Sequence, residues 1–164
     1  MRWISGRAWG WVAVLATPAL AAAPAPADST PPGKQLFADH CAVCHQADAR
    51  GAAGFAPSLA GTLATYAKSD KGLRYMAQVP ITGMSGKIET EGGSFIGTMP
   101  SLAADLSDAE IAAALNYVLG TFNDVQGTTE ASPVTPAIVA AARAASPSPS
   151  DTKALRASLL SGGS

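Results

Sequence analysis

The pentapeptide Cys41-Ala42-Val43-Cys44-His45 holds the residues with the most recognisable chemistry in this 164-residue chain. A Cys-x-x-Cys-His run is the attachment signature for c-type haem. Positions i and i+3 of a helical turn share one face, so the thiols of Cys41 and Cys44 can reach the two vinyl groups of one porphyrin. His45 follows directly and can bind the iron as its proximal ligand. The sequence therefore predicts one covalently bound haem c, attached by its only two cysteines.

Three other kinds of site use closely spaced cysteines. A thioredoxin-like dithiol belongs in a βαβ pattern, which the flanking sequence lacks. A structural zinc site needs four ligands, and His40, Cys41, Cys44 and His45 are too crowded for a tetrahedral cage. A disulfide between residues three apart closes a very small loop and stabilises little. Haem attachment is favoured over all three.

The N-terminus has the pattern of a secretory signal peptide. Arg2 and Arg7 give a positive start, residues 8–16 are apolar, and Ala19-Leu20-Ala21 fits a cleavage site. We expect residues 1–21 to be removed, which predicts a periplasmic protein without a membrane span. An uncleaved anchor is the alternative, although the apolar run is shorter than the roughly 20 residues that a spanning helix needs.

The charge balance limits the classes of partner that this protein is expected to bind. The full chain has 11 Lys and Arg against 12 Asp and Glu, a formal net charge of −1. Removal of the signal peptide would take away two arginines and make the protein more acidic. The sequence has no strongly basic segment of the kind that binds nucleic acid, and no dense group of lysines that would steer acidic partners. We therefore expect no nucleic-acid partner.

After the signal peptide the composition predicts three parts. Residues 22–32 are rich in Ala and Pro and predict a flexible leader. Residues 33–123 predict the haem-binding domain, and residues 124–164 a C-terminal extension with short helices. The segments compatible with helix are 34–44, 62–76, 107–122, 135–145 and 150–160, whereas 79–99 is a glycine-rich loop with a small hairpin around Glu91-Gly92-Gly93, and 128–133 is linker.

Local signals mark where several of these helices begin. Ser107 can cap the helix 107–122, and Glu110 at the third helical position completes a capping box. An apolar stripe then faces inward, formed by Ile111, Leu115, Val118, Leu119 and Phe122. Thr135-Pro136 offers an N-cap with proline at the first helical position, and Ser150 is the candidate cap of the last helix.

The candidates for a sixth iron ligand are Met76, Met84, Met99 and His40. His40 adjoins Cys41 and therefore cannot reach the opposite face of the porphyrin. Met76 lies in a predicted helix, where methionine usually packs in the hydrophobic core. Met84 and Met99 both lie in chain predicted to be irregular. Met99 is favoured because Pro100 disfavours the α conformation at residue 99 and gives an extended loop. Met84 stays open as the alternative.

Several motifs, in this order, resemble those of the class I monohaem cytochromes c. They are Gly33-x-x-x-Phe37, the Cys-x-x-Cys-His run, Pro57-Ser58-Leu59-Ala60-Gly61, Gly97-Thr98-Met99-Pro100, Leu106-Ser107-Asp108-Ala109-Glu110-Ile111-Ala112 and Asn116-Tyr117-Val118. The resemblance implies an all-α cytochrome c fold, with small helices wrapped around one covalently bound haem. It also implies that the N-terminal helix, through Gly33 and Phe37, crosses the C-terminal helix near Leu115–Val118.

The same resemblance assigns a role to a proline after the haem motif. In the family a proline carbonyl accepts the ring N–H of the proximal histidine, and Pro57 matches that position. The family often has Pro-Pro-Leu where this chain has Pro57-Ser58-Leu59. Such a hydrogen bond would orient the imidazole and raise its basicity.

The function favoured by these residues is electron transfer. With His45 and Met99 on the two axial positions, the iron has no vacancy for a substrate, and no acid–base pair stands beside it. We therefore expect no enzymatic activity, and expect redox partners such as a donor dehydrogenase and an acceptor oxidase or other cytochrome. The alternatives are a haem sensor or peroxidase-like enzyme with a labile distal site, and a fixed subunit of a dehydrogenase or oxidase complex.

Overall fold

The computed structural model describes Met1 and residues 32–125 and 134–161. Its elements are α1 (Gly33–His40), α2 (Ala42–His45), a short 3₁₀ helix (Tyr66–Lys68), α3 (Asp70–Thr82), β1 (Met84–Thr90), β2 (Gly93–Met99), α4 (Asp108–Phe122), α5 (Pro136–Ala144) and α6 (Pro149–Ser161). The predicted signal peptide after Met1, most of the predicted leader and the predicted linker 128–133 lie outside the described residues. The mainly helical architecture confirms the predicted fold class, with one small sheet added to it.

The first and fourth helices cross at very short range. A Cβ added to Gly33 would lie 2.2 Å from the carbonyl oxygen of Ala113, so only glycine permits this approach. Phe37 is almost fully buried, and its ring centroid lies 5.7 Å from that of Tyr117 and 5.6 Å from that of Phe122. The crossing implied by the cytochrome c resemblance is therefore present. It fixes the end of α1, from which the haem motif continues.

The helix around the haem motif is interrupted at one residue. Cys41 separates α1 from α2, so the predicted helix 34–44 is correct except for this break. The amide of His45 still donates to the carbonyl of Cys41, at 2.9 Å. The thiols of Cys41 and Cys44 are thus displayed by a single turn that α1 holds in place.

The fourth helix begins as its capping signals predict. The Glu110 amide donates to the Ser107 hydroxyl at 3.3 Å, and the Ser107 amide donates to the Glu110 carboxylate at 2.8 Å. Three residues of the predicted apolar stripe, Ile111, Val118 and Leu119, are buried. The capping box and the inward face of α4 are therefore confirmed.

The third helix lies later in the chain than the predicted segment 62–76. Ser69 caps it, its hydroxyl accepting from the amide of Gly72 at 3.1 Å, so α3 starts only at Asp70 and continues past Pro80 to Thr82. Gly83 ends α3 with a φ of +69°. A Cβ at Gly83 would lie 2.4 Å from the carbonyl oxygen of Met99, so glycine is required where α3 turns into the hairpin.

Strands β1 and β2 form an antiparallel hairpin across the predicted turn at residues 91–93. Directly opposed residues include Met84 with Met99, Gly86 with Gly97, and Ile88 with Phe95. The hairpin itself is confirmed, but the expectation that Met84 and Met99 lie in irregular chain is wrong. The strand pattern is concealed because the glycines at 86 and 97 stand where period-2 alternation would show apolar side chains.

The C-terminal extension forms two helices that pack on the body of the protein. Thr135 caps α5 as predicted, accepting from the Ile138 amide at 3.3 Å. The predicted cap of the last helix, Ser150, is wrong, because Ser148 accepts from the Asp151 amide at 3.2 Å and α6 begins at Pro149. Helix α5 contacts α3 and α4, whereas α6 contacts α3 and β1. Among the described residues, no helix combines the length and apolar character required to cross a bilayer.

Candidate haem site

A cavity of about 1040 Å³ opens between the haem motif, the hairpin and the last helix. This volume is at the upper end of the roughly 300–1,000 Å³ that is usual for sites of small molecules and cofactors. Its lining includes every residue predicted for the site: Cys41, Cys44, His45, Pro57 and Met99. The three other candidate ligands of the sequence, His40, Met76 and Met84, also line it.

His45 is held in a single orientation on one side of this cavity. Its side chain is buried, with the residue 7% exposed, and its Nδ1 lies 2.9 Å from the carbonyl oxygen of Pro57. Because a carbonyl can only accept, Nδ1 carries the proton and Nε2 is left with a free lone pair. Burial lowers the pKa of His45, and the hydrogen bond to Pro57 opposes that shift in part. The neutral imidazole is the form that binds a metal ion.

The loop that carries Pro57 depends on a glycine that the sequence prediction did not single out. Gly51 has a φ of +69°, and its amide donates to the His45 carbonyl at 2.8 Å. A Cβ at residue 51 would lie 2.2 Å from the carbonyl oxygen of Ala56 and 2.6 Å from that of Pro57. The Ser58 hydroxyl adds a hydrogen bond of 3.0 Å to the Ala60 carbonyl in the same loop. The sequence signal for this role is a glycine six residues after His45, and Gly54 shortly after it makes that signal ambiguous.

Gly51→Ala is expected to destabilise the folded protein by about 2–4 kcal/mol, since it adds a backbone clash to the cost of a left-handed alanine. Gly54→Ala is the matched control. Gly54 also has a positive φ, of +73°, but a Cβ there meets no atom within 4 Å. Gly54→Ala should therefore lower the free energy of unfolding by only about 1–2 kcal/mol, the cost of a left-handed alanine without a clash. Denaturant unfolding of both variants measures the difference, and equal losses would contradict a special role for Gly51.

The two cysteines lack the properties of a redox dithiol. Burial raises the pKa of Cys41 to about 11, with a further contribution from Cys44, whereas catalytic dithiols have a depressed thiol pKa. The only sheet in residues 32–125 and 134–161 is the two-stranded hairpin, which is not a βαβ unit. Those residues also contain no group of three or more His, Cys, Asp or Glu side chains arranged to hold a metal ion.

The hairpin brings two methionines to one wall of the cavity. Met84 and Met99 are direct cross-strand partners, so their side chains project from the same face of the sheet. Met84 is buried at 9% exposure, whereas Met99 is only half-buried. Met76 is buried in the core, from α3. Met99 is thus the more exposed of the two hairpin methionines.

The same wall has a gap that suits a flat ligand. Gly97 lies between Phe95 and Met99 on alternate positions of β2, so a side chain at 97 would share their face. A Cβ built at Gly97 meets no atom within 4 Å, and one at its cross-strand partner Gly86 would meet only the Lys153 ammonium, at 3.6 Å. Two thiols, a neutral imidazole, a thioether and a flat glycine surface around one cavity fit a covalently attached porphyrin. The fold and the site therefore define a c-type haem protein.

Comparison with known proteins identifies the family. The cytochrome c family model matches residues 31–122, and the chain belongs to this family. Cytochrome c-552 of Thermus thermophilus is 37% identical over 94 residues, which is 57% of this chain and 70% of the relative. A second cytochrome c-552 of Thermus thermophilus is also 37% identical over 94 residues, and the match covers 62% of its length. The cofactor is haem c, attached through Cys41 and Cys44, and its role is electron transport.

Proposed function

We propose that this protein is a periplasmic one-electron carrier in which His45 and Met99 are the axial ligands of the haem iron. The observation that supports the pair is that both side chains line one cavity with the two attachment cysteines. Haem held in this way supplies reversible one-electron chemistry at its iron. The protein's own residues set the ligand geometry, the polarity of the site and its access to solvent.

On the proximal side, three residues would act together. His45 would present Nε2 to the iron, while the Pro57 carbonyl accepts the Nδ1 proton at 2.9 Å. That hydrogen bond holds the ring plane and raises the basicity of the imidazole. Gly51 keeps the Pro57 loop close to α2. These contacts would keep the His45 ring in place when the haem gains or loses an electron.

On the distal side, the chain that follows Met99 is anchored at several points. The Ser101 hydroxyl donates to the carbonyl of Ile81 at 2.6 Å, and the Leu102 amide donates to the carbonyl of Pro80 at 2.8 Å. Arg143 of α5 bonds the carbonyls of Ala103 and Leu106, at 2.7 and 2.9 Å. These bonds would hold the Met99 thioether in one place. A thioether ligand raises the haem potential.

The proposal also includes the cellular location of the protein and its redox partners. The pattern of residues 1–21 supports export by a cleaved signal peptide, with residues 33–123 as the haem domain and residues 124–164 as its extension. We propose that the protein passes single electrons from a donor such as a dehydrogenase to an acceptor such as a terminal oxidase or another cytochrome. Purification of the untagged protein from a periplasmic extract tests this, because a fixed subunit would elute with its complex.

The absorption spectrum of the wild-type holoprotein tests the axial pair. The oxidised protein is expected to show a far-red charge-transfer band from an iron–sulfur bond, and the reduced protein should bind little CO at equilibrium. The physical reason is that two protein ligands leave no open position on the iron. A missing band together with ready CO binding would contradict the carrier and favour the sensor or peroxidase-like alternative.

A further inference from the structure

Arg156 places a guanidinium of the C-terminal extension at the wall of the haem cavity. It lies on α6, beyond residues 31–122 that match the cytochrome c family, and it lines the cavity. Its Nη2 donates to the backbone carbonyl of Glu89 on β1, at 2.5 Å. Tyr75 on α3 also lines the cavity, and its hydroxyl lies close enough to Arg156 for the guanidinium to oppose the effect of burial on the pKa of Tyr75. The Glu89 carbonyl therefore holds this cation at the cavity wall, near Tyr75.

Within the described residues, Arg156 has no carboxylate partner. The ion pairs there join Arg50 to Asp48, Lys87 to Glu89, and Arg143 to Asp108. The carboxylate of Glu89 lies 2.7 Å from the Lys87 ammonium, so β1 offers Arg156 only a backbone carbonyl. A guanidinium has five N–H donors, and a half-buried cation is costly unless an anion accompanies it. An anion bound to Arg156 on the cavity side would offset that cost.

We propose that Arg156 binds a propionate carboxylate of the haem, with the Tyr75 hydroxyl as a second donor beside it. Arg is the side chain best suited to a carboxylate, because its planar fork can donate two parallel hydrogen bonds. Tyr75 is buried at 7% exposure, and burial raises its pKa to about 12, so its hydroxyl keeps its proton at neutral pH. The extension thus completes the cofactor site from outside the segment that matches the family.

A fixed cation at this place has a consequence for the redox equilibrium. The reduced haem carries one positive charge fewer than the oxidised haem, so a neighbouring cation favours the reduced state. Arg156 would therefore raise the reduction potential. This proposal depends on the haem that the family carries, and not on Met99 as the sixth ligand.

The test compares the reduction potentials of holoproteins that carry Arg156→Gln or Lys153→Gln. Lys153 is the matched control because its substitution removes the same charge from the same helix one turn earlier. Lys153 is exposed and does not line the cavity, although its ammonium lies beside Gly86. Arg156→Gln is expected to shift the ratio of reduced to oxidised protein about tenfold toward oxidised, which is about 59 mV for one electron. Lys153→Gln should shift it less than about threefold, since an exposed charge is screened by solvent. Equal shifts in the two variants would overturn the proposal.

The pH dependence of the potential separates a propionate contact from a packing effect. A carboxylate beside Arg156 has a depressed pKa, so the wild-type potential should be flat from about pH 5 to 7. In Arg156→Gln the pKa of the propionate should rise toward the ordinary range, and the potential should then fall as pH increases and the carboxylate ionises. The other titratable residues on this side of the cavity are present in both proteins: Tyr66, Lys68, Lys71, Tyr75, Glu89 and Glu91. Loss of Arg156 would raise the pKa of Tyr75 further, so Tyr75 stays protonated from pH 5 to 7 in both.

Two further measurements distinguish the loss of the Arg156 charge from a structural change caused by the substitution. Arg156→Lys keeps the positive charge but loses the planar guanidinium. Its reduction potential should recover at least half of the decrease measured in Arg156→Gln. The far-red band of the oxidised protein should be unchanged in all three variants. Loss of the band in Arg156→Gln alone would show that the hairpin had moved, and would overturn the proposal. Absence of the band already in the wild type would contradict Met99 ligation and leave the Arg156 comparison valid.

Discussion

Met99→Ala is expected to abolish the far-red charge-transfer band and to lower the reduction potential by on the order of 100 mV or more, within the range of about 0.8 V that axial ligands control. Alanine has no thioether, so the iron loses its soft sixth ligand, which is what favours the reduced state. The vacated position should then bind CO readily. Visible and near-infrared spectra, a redox titration and a CO titration of the purified holoprotein measure these three changes.

Met84→Ala is the matched control, because Met84 and Met99 are direct partners on the same face of the hairpin. Met84→Ala should keep the band and the potential. It should still cost about 2–4 kcal/mol of stability, since Met84 is buried in the core cluster and its truncation leaves a cavity. The reverse pattern, with the band lost in Met84→Ala and kept in Met99→Ala, would make Met84 the ligand.

The parts of the fold that the sequence predicts well are those with short-range signals. The haem motif occupies one helical turn, the capping box at Ser107 and Glu110 begins α4, and Thr135-Pro136 begins α5. Each of these signals lies close in sequence to the atoms it joins. Cys41, Cys44 and His45, at and within α2, could be named for the same reason, because the spacing of two thiols and an imidazole is a local property.

The errors arise where local signals compete or are hidden. Ser148 and Ser150 both precede possible helix starts, and the carboxylate of Asp151 favours Ser148, whose amide donates to it at 2.9 Å. In the hairpin, Gly86 and Gly97 interrupt the alternation that would have revealed two strands. Gly86 has a φ of +87°, which favours glycine, and Gly97 leaves open space at the cavity wall, so neither position shows the apolar residue that a strand pattern would need.

The least predictable contacts join residues that are far apart in sequence. Arg156 reaches Glu89 across 67 positions, and Arg143 reaches Asp108 across 35. Nothing in the composition of the extension indicates that its two arginines serve different purposes. Arg143 is paired and braces the chain after Met99, whereas Arg156 faces the cofactor cavity. Only the fold distinguishes them, because the distinction depends on what each guanidinium meets.

Asn123 makes the connection between the end of α4 and the chain that follows Pro57. Its side chain is buried at 7% exposure. Its amide oxygen accepts from the Leu63 amide at 2.8 Å, and its amide nitrogen donates to the carbonyls of Leu59 and Val118, both at 3.0 Å. The amide of Gly61 adds a bond of 2.9 Å to the carbonyl of Phe122. One side chain therefore ties the proximal loop to the helix crossing.

Asn123→Ala is expected to destabilise the protein by about 2–4 kcal/mol, because the buried Asn123 side chain makes three hydrogen bonds, each contributing about 0.5–1.5 kcal/mol. Asn116→Ala is the control. Asn116 lies on the same helix and makes two bonds to the backbone of Val134, of 2.8 and 2.9 Å, but it is only half-buried. Water can replace those bonds, so the cost should be about 1–2 kcal/mol. Denaturant unfolding with an unchanged m-value measures both. A loss at Asn123 no larger than at Asn116 would mean that the proximal loop is held by its own backbone bonds and by Gly51.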